Sequence, residues 1–198
     1  AVIVKPSSST PNATNLIAQA LMDAGLPEGL ISVVHGGAKV AHALIDQPEI
    51  RFFAFTGSTE VGRDIQQRAG LRRTQMELGS IAFTVLCADA NLDAALPKIV
   101  GAAYRKAGQV CTSIQNLLVE RSRVEEVQAR LVAATQALPY GDPHDAKTQV
   151  GPVINVANAQ RIDGWIQNAV QRGARLLCGG RLEGALVPPT LLADVPRE

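Results

Sequence analysis

The stretch Phe52–Gly62, which reads FFAFTGSTEVG, decides the fold class. Its first four residues are apolar and are typical of a strand. The turn Thr56–Thr59 follows, and a helix is expected from about Glu60. A glycine in such a turn lets the backbone approach a ligand, and the helix N-terminus favours an anion such as phosphate. On its own the stretch is a modest signal, because an ordinary capped turn uses the same residues.

Two strand–helix pairs precede this stretch. The β-branched run Val2–Val4 predicts a buried strand, and Ile31–Val34 predicts the next strand. Thr10 is the expected N-cap of the first helix and Gly25 its expected end, and a second helix is predicted over Lys39–Gln47. Strands that alternate with helices predict an α/β fold, in which a parallel sheet is joined by right-handed crossovers.

The rhythm changes beyond this region, and a domain boundary is expected near Leu78. Three further strands are predicted at Phe83–Cys87, Leu117–Glu120 and Arg175–Cys178. Three helices are predicted at Leu92–Lys106, Arg123–Ala137 and Ala157–Arg172. Ala107–Ser113 is predicted as a loop, because its residues are small or polar.

Composition and charge exclude several functions. The chain is 46% hydrophobic and 19% charged, as expected of a chain that buries a core. Its net charge of +1 and its scattered basic residues argue against a nucleic-acid partner, and the lack of a long apolar run argues against a membrane partner. Three widely spaced cysteines predict a reducing compartment, which would be the cytoplasm. Their spacing also predicts that there is no metal site. The chain begins inside a predicted strand, so we expect it to be a piece of a longer protein.

Three residues stand where chemistry is expected. Lys5 ends the first strand, where ligands bind in open parallel sheets, although an isolated lysine is more often solvated. Glu77, between apolar neighbours at a strand end, either pairs with a cation or suits a general base. Cys111 lies in the loop of small residues, within reach of substrate and near backbone N–H donors. Cys87 and Cys178 are interpreted as buried and inert.

Taken together, these motifs resemble the aldehyde dehydrogenase superfamily. Glu77–Gly79 and Gly108–Cys111 have the order and spacing of two family motifs, as do Lys5–Pro6, Phe55–Ser58 and Gly151–Pro152. The resemblance covers essentially the whole chain. It implies a partial Rossmann-type dinucleotide-binding domain over residues 1–78 and part of an α/β catalytic domain over residues 79–198.

The resemblance also implies residue roles. Cys111 would be the nucleophile, whose thiohemiacetal loses a hydride to the nicotinamide and becomes a thioester. Glu77 would activate the water that hydrolyses this thioester, and the Cys111 N–H would be one oxyanion donor. The implied cofactor-binding residues are Lys5, Ser8, Thr56, Gly57, Ser58 and Leu78. The implied partners are a small aldehyde and further copies of the protein, in a dimer or a tetramer.

Departures from the family pattern refine these expectations. Glu77 disfavours the branch that transfers the acyl group to coenzyme A. Ser80–Ile81 replaces a common Gly-Lys, as in members that resemble lactaldehyde and phosphonoacetaldehyde dehydrogenases, which favours a small polar aldehyde. Ser8 stands where many NAD-using members have a glutamate. Because a serine does not repel a 2′-phosphate, NADP is expected as a cofactor as well as NAD.

The resemblance places two family residues outside the chain. The oxyanion-hole asparagine would precede residue 1, and the glutamate that holds the nicotinamide ribose would follow residue 198. Loss of one oxyanion donor lowers a rate by about 100- to 1000-fold. The chain alone is therefore expected to have little or no activity, and the alternative interpretation is a truncated, catalytically inactive nucleotide-binding fragment.

Overall fold

A computed structural model of the chain describes residues 1–81 and 83–196. The chain divides into two compact units, Ala1–Gly79 and Ser80–Glu198. The assignment of a dinucleotide-binding role to the first and a catalytic role to the second stays a prediction. Among the helices described, none combines the length and the apolar character that crossing a membrane requires.

The first unit alternates strands and helices, as the sequence predicts. Its elements are β1 (Val2–Val4), α1 (Asn12–Asp23), β2 (Ile31–Val33), α2 (Ala38–Ile45), β3 (Phe52–Thr56), α3 (Thr59–Ala69) and β4 (Arg73–Glu77). β1 pairs with β2 and β3 pairs with β4, and both pairs are parallel. The α/β class and the parallel pairing are confirmed, whereas the prediction that β1 is buried is wrong, because Val2 and Ile3 are 59% and 46% exposed. The carboxyl ends of paired strands therefore lie side by side.

Helix α1 corrects one predicted cap. The helix has Pro11 at its N-cap and no side-chain capping bond, so the prediction that Thr10 caps it is wrong. The Thr10 N–H instead donates to the Ser7 carbonyl at 3.2 Å, which places Thr10 in the preceding turn. The predicted end is confirmed, because Gly25 has a φ of 88° and its N–H donates to Met22 O at 2.9 Å.

The second unit combines a parallel and an antiparallel pair of strands. Its main elements are β5 (Phe83–Leu86), α4 (Leu92–Tyr104), β6 (Asn116–Val119), α5 (Val124–Gln136), α6 (Val156–Gln171), β7 (Arg175–Cys178) and β8 (Leu191–Ala193). β5 pairs with β6 in parallel, and β7 pairs with β8 in antiparallel fashion. The buried core comprises Leu86, Leu92, Leu96, Ile99, Val100, Val127 and Leu131. This core packs α4 and α5 against β5.

Arg72, just before β4, binds to several separate segments of the first unit through its side chain. Its guanidinium lies 4.8 Å from the ring centroid of Phe53. It also donates to four backbone carbonyls at 3.0 to 3.3 Å, those of Gln47, Ile50, Arg68 and Ala69. Arginine suits this position because its rigid fork carries five N–H donors, whereas lysine carries one ammonium group.

We expect Arg72→Ala to lower the free energy of unfolding by about 2 kcal/mol, because it leaves four carbonyls without their charged donor. Arg72→Lys should recover only part of this loss. Arg73→Ala, an exposed arginine on β4, is the matched control and should change stability by less than about 0.5 kcal/mol. Urea unfolding followed by circular dichroism measures all three. Equal losses of unfolding free energy in Arg72→Ala and Arg73→Ala would contradict the stabilising role assigned to Arg72.

Candidate active site

Lys5 and Ser8 lie together at the carboxyl ends of β1 and β2. The half-buried Lys5 follows β1, and its ammonium donates to Pro6 O at 3.0 Å and to Gly36 O at 3.1 Å. The exposed Ser8 donates its hydroxyl to the same Gly36 carbonyl at 3.3 Å. Lys5 and Ser8, which the resemblance assigns to cofactor binding, thus share one acceptor in the loop after β2. Lys5 is an anchored side chain and not a freely solvated one.

The turn between β3 and α3 is a capped helix start. The Ser58 hydroxyl oxygen accepts from the Val61 N–H at 3.3 Å, and Ser58 is the N-cap of α3. The Gly57 N–H donates to Glu77 O at 3.0 Å, so this amide is used by the neighbouring strand. A Cβ at Gly57 would lie 2.4 Å from the tip of the Phe55 ring, so any larger residue here would force this ring to move. The Gly57 N–H is therefore not free to bind an anion, and the assignment of Thr56, Gly57 and Ser58 to cofactor binding stays a prediction.

Parallel pairing brings Glu77 and Leu78 beside this turn. Glu77 is the last residue of β4 and lies opposite Thr56 in the register. Its exposed carboxylate forms no ion pair with any residue in the described part of the chain. Leu78 packs against α3, since a Cβ at Gly62 would lie 2.5 Å from its Cδ2. The first unit thus places the predicted base next to the predicted phosphate-binding turn.

Cys111 lies in a loop made of consecutive tight turns. Beyond α4, Lys106 and Ala107 have φ values of 52° and 54°, and Gly108 has a φ of 72°. This left-handed backbone is unfavourable for residues that carry a Cβ. The Val110 N–H donates to Gly108 O at 2.9 Å, which closes an inverse γ-turn just before Cys111. The exposed Cys111 follows directly.

Ser113 closes the loop on its other side, and sequence reasoning missed it. It is 4% exposed, its hydroxyl donates to Gly108 O at 3.1 Å, and its N–H donates to Val110 O at 3.0 Å. The amides of Cys111 and Thr112 have no hydrogen-bond partner within residues 1–81 and 83–196. Open amides beside an exposed thiol can stabilise an oxyanion that forms on a carbonyl bound there. Only the polar character of Ser113 within the loop could have indicated this role.

The two other cysteines have different settings. Cys178 ends β7 and is 8% exposed, and burial raises the pKa of its thiol. The predicted burial of Cys178 is confirmed, and a thiol held in its protonated form is a weak nucleophile. Cys87 is exposed, so the prediction that it is buried is wrong. β5 ends at Leu86, and Cys87 begins the turn that follows, in which the Ala90 N–H donates to Cys87 O at 3.2 Å.

Within the described residues, no cluster of three or more histidine, cysteine, aspartate or glutamate side chains could hold a metal ion. Glu77 belongs to the first unit and Cys111 to the second. Each unit therefore carries one of the two residues that the resemblance assigns to catalysis, in a setting that exposes its side chain.

Comparisons with known proteins agree on one family. The sequence model of the Aldehyde dehydrogenase family matches residues 1–198. The 3-sulfolactaldehyde dehydrogenase of Priestia megaterium is 36% identical over 195 residues, which cover 98% of this chain and 41% of that protein. The chain spans about two fifths of the length of the curated relatives it matches.

Solved structures extend the agreement to the fold. A Mycobacterium tuberculosis aldehyde dehydrogenase complexed with NAD+ superposes with a TM-score of 0.95 at 39% identity, over 98% of this chain and 42% of that one. Glyceraldehyde-3-phosphate dehydrogenase GapN from Methanocaldococcus jannaschii, complexed with NADP, superposes with a TM-score of 0.90 at 31% identity. That similarity covers 96% of this chain and 43% of the other.

Proposed function

Since this chain belongs to the aldehyde dehydrogenase family, we propose that the protein oxidises an aldehyde to a carboxylic acid, with Cys111 as nucleophile and Glu77 as general base. NAD or NADP is the proposed cofactor. The observation that carries the proposal is the exposed Cys111 thiol beside two open amides, in a loop closed by hydrogen bonds on both sides. That setting suits attack on a carbonyl.

The residues of the first unit suit a dinucleotide. Its donors near the carboxyl ends of the strands are one ammonium and several hydroxyls, at Lys5, Ser8, Thr56 and Ser58, together with the N-terminus of α3. These groups match the diols and phosphates of such a ligand. Leu78 adds an apolar surface beside the turn. When bound, the nicotinamide ring supplies the acceptor for the hydride that leaves the substrate carbon.

The chemistry at Cys111 follows from its neighbours. The thiolate adds to the carbonyl carbon, and the negative charge that develops on the oxygen is stabilised by the amides of Cys111 and Thr112. Departure of a hydride, with its electron pair, leaves a thioester on the sulfur. Glu77 removes a proton from water as the water attacks this thioester. The carboxylic acid is released, and the thiolate is restored.

The proposed substrate is a small polar aldehyde. Ser80–Ile81 in place of Gly-Lys supports this, as does the similarity to a 3-sulfolactaldehyde dehydrogenase. We further propose that the protein is a homo-oligomer located in the cytoplasm.

An acylating enzyme, which would transfer the acyl group to coenzyme A, is disfavoured by Glu77. Product analysis with and without coenzyme A separates this reaction from hydrolysis to the carboxylic acid.

The alternative proposal is a truncated, catalytically inactive nucleotide-binding fragment, and the chain spans about two fifths of the length of these relatives. Turnover measured on the chain, and on the protein extended by the gene segments that flank it, separates the two proposals. Activity only in the extended protein assigns the fragment behaviour to the chain and the enzyme activity to the longer protein. Nucleotide binding without turnover in either form would favour the alternative for both.

Cofactor choice provides a prediction at Ser8. We expect Ser8→Glu to lower kcat/KM for NADP by about 10- to 100-fold while changing kcat/KM for NAD far less, because a carboxylate repels the 2′-phosphate. Ser9→Glu is the matched control, since it adds the same charge at the next exposed position. Steady-state kinetics of the extended protein with each cofactor measure the effect. An NAD-preferring wild type whose NADP kinetics do not respond to Ser8→Glu would contradict the NADP proposal.

A further inference from the structure

The Gln109 side chain uses both ends of its amide. Its Nε2 donates to Lys106 O at 3.0 Å, and its Oε1 accepts from the Ile154 N–H at 2.9 Å. The Gln109 backbone N–H also donates to Lys106 O, at 3.1 Å. The Lys106 carbonyl, at the left-handed turn, therefore accepts two hydrogen bonds from Gln109. Gln109 also binds Ile154, which lies far along the chain.

The segment at the other end of this bridge is itself held in place. Ile154 follows Val153, which is 5% exposed and whose N–H donates to Ala185 O at 2.9 Å. Asn155, the next residue, is the N-cap of α6, and its Oδ1 accepts from the Asn158 N–H at 2.9 Å. Buried packing on one side and a helix cap on the other make this segment a fixed support.

The backbone before Cys111 needs such a support. Two non-glycine residues, Lys106 and Ala107, are left-handed, and such conformations persist only where the surroundings impose them. The bonds from Gln109 act at the Lys106 carbonyl, within this strained turn, and Cys111 follows two residues after Gln109. A displacement of about 1 Å at a reacting group can lower a rate about 100-fold.

We propose that Gln109 is a positioning residue for Cys111, which fastens the strained nucleophile loop to the fixed start of α6 through its side-chain amide. This inference rests on the proposed function. It also accounts for the Gly151–Pro152 motif, which the proposed chemistry does not use, because that motif leads directly into the segment that holds Ile154.

The chemistry of glutamine makes the inference testable. Glutamate keeps the acceptor for Ile154 but loses the donor to Lys106, whereas leucine has a similar volume and loses both bonds. Gln109 is exposed, so these substitutions do not create a core cavity. Gln128→Leu is the matched control in the same unit, since Gln128 accepts one side-chain bond, from Arg175 at 3.4 Å.

The test measures kcat and KM on the extended protein and amide hydrogen exchange on the same samples. We expect Gln109→Leu to lower kcat by about 10- to 100-fold with KM for the aldehyde unchanged, and Gln109→Glu to recover part of kcat. Exchange at the Val110, Ser113 and Ile154 amides should accelerate, while the urea midpoint stays at the wild-type value. Gln128→Leu should leave kcat and exchange in the loop unchanged.

The contrary outcomes are distinct. Wild-type turnover with an unchanged kcat in Gln109→Leu would overturn the positioning role and leave the proposed function standing. A fall in kcat that matches a fall in the urea midpoint would also overturn it, because the role would then be structural. Absence of aldehyde turnover in the wild type would overturn the proposed function, and this inference with it.

Discussion

Cys111→Ala is expected to lower kcat for aldehyde oxidation by about 10⁴-fold or more, because removal of a nucleophile leaves only binding and electrostatic contributions. The measurement follows the absorbance of the reduced cofactor with a panel of small aldehydes, with NAD and NADP supplied separately. It is made on the extended protein and on the chain itself. The aldehyde with the highest kcat/KM would identify the substrate class in the same experiment.

Cys87→Ala is the matched control for this loss. Cys87 is also an exposed free thiol of the second unit, so a general effect of losing a reactive cysteine would appear in both variants. We expect Cys87→Ala to retain the wild-type rate. A Cys111→Ala variant that also keeps the full rate would exclude a covalent mechanism at this residue and would favour the nucleotide-binding alternative.

Glu77→Gln is expected to lower the steady-state rate by about 100- to 10,000-fold, because the amide cannot take a proton from the attacking water. The preceding steps do not need this base. A rapid burst of reduced cofactor, one equivalent per active site, should therefore remain. The acyl group should then accumulate on Cys111, where mass spectrometry of the peptide that contains this residue detects it as an added mass.

Glu49→Gln is the control for the loss of a carboxylate, since Glu49 is exposed and lies in the same unit. It should keep both the burst and the steady-state rate. Loss of the burst itself in Glu77→Gln would assign Glu77 to a step before hydrolysis. Rescue of Glu77→Gln turnover by coenzyme A would indicate that the thioester is intact and open to other nucleophiles.

Local patterns were sufficient for most of the fold. Mainly apolar runs such as Phe52–Phe55 and Ile31–Val34 predict strands because each is bounded by turn residues, and the structure confirms both strands, as Phe52–Thr56 and Ile31–Val33. β4 and β8 show the limit of this reasoning. β4 (Arg73–Glu77) is mostly polar, and only its end at Glu77 was expected, since its strand conformation comes from its pairing with β3. β8 was not predicted, because its pairing with β7 depends on residues distant in sequence.

The sequence by itself determined the α/β class, the family and the identity of the candidate residues, because these depend on short motifs and on periodicity along the chain. The tertiary structure alone decided which atoms these residues meet. The Gly57 N–H donates to Glu77 O, and the Lys5 and Ser8 side chains both donate to the Gly36 carbonyl. The Gln109 side chain accepts from the Ile154 N–H. Each of these contacts joins segments distant along the chain, and strand pairing and loop closure, which no local pattern encodes, bring them within hydrogen-bond distance.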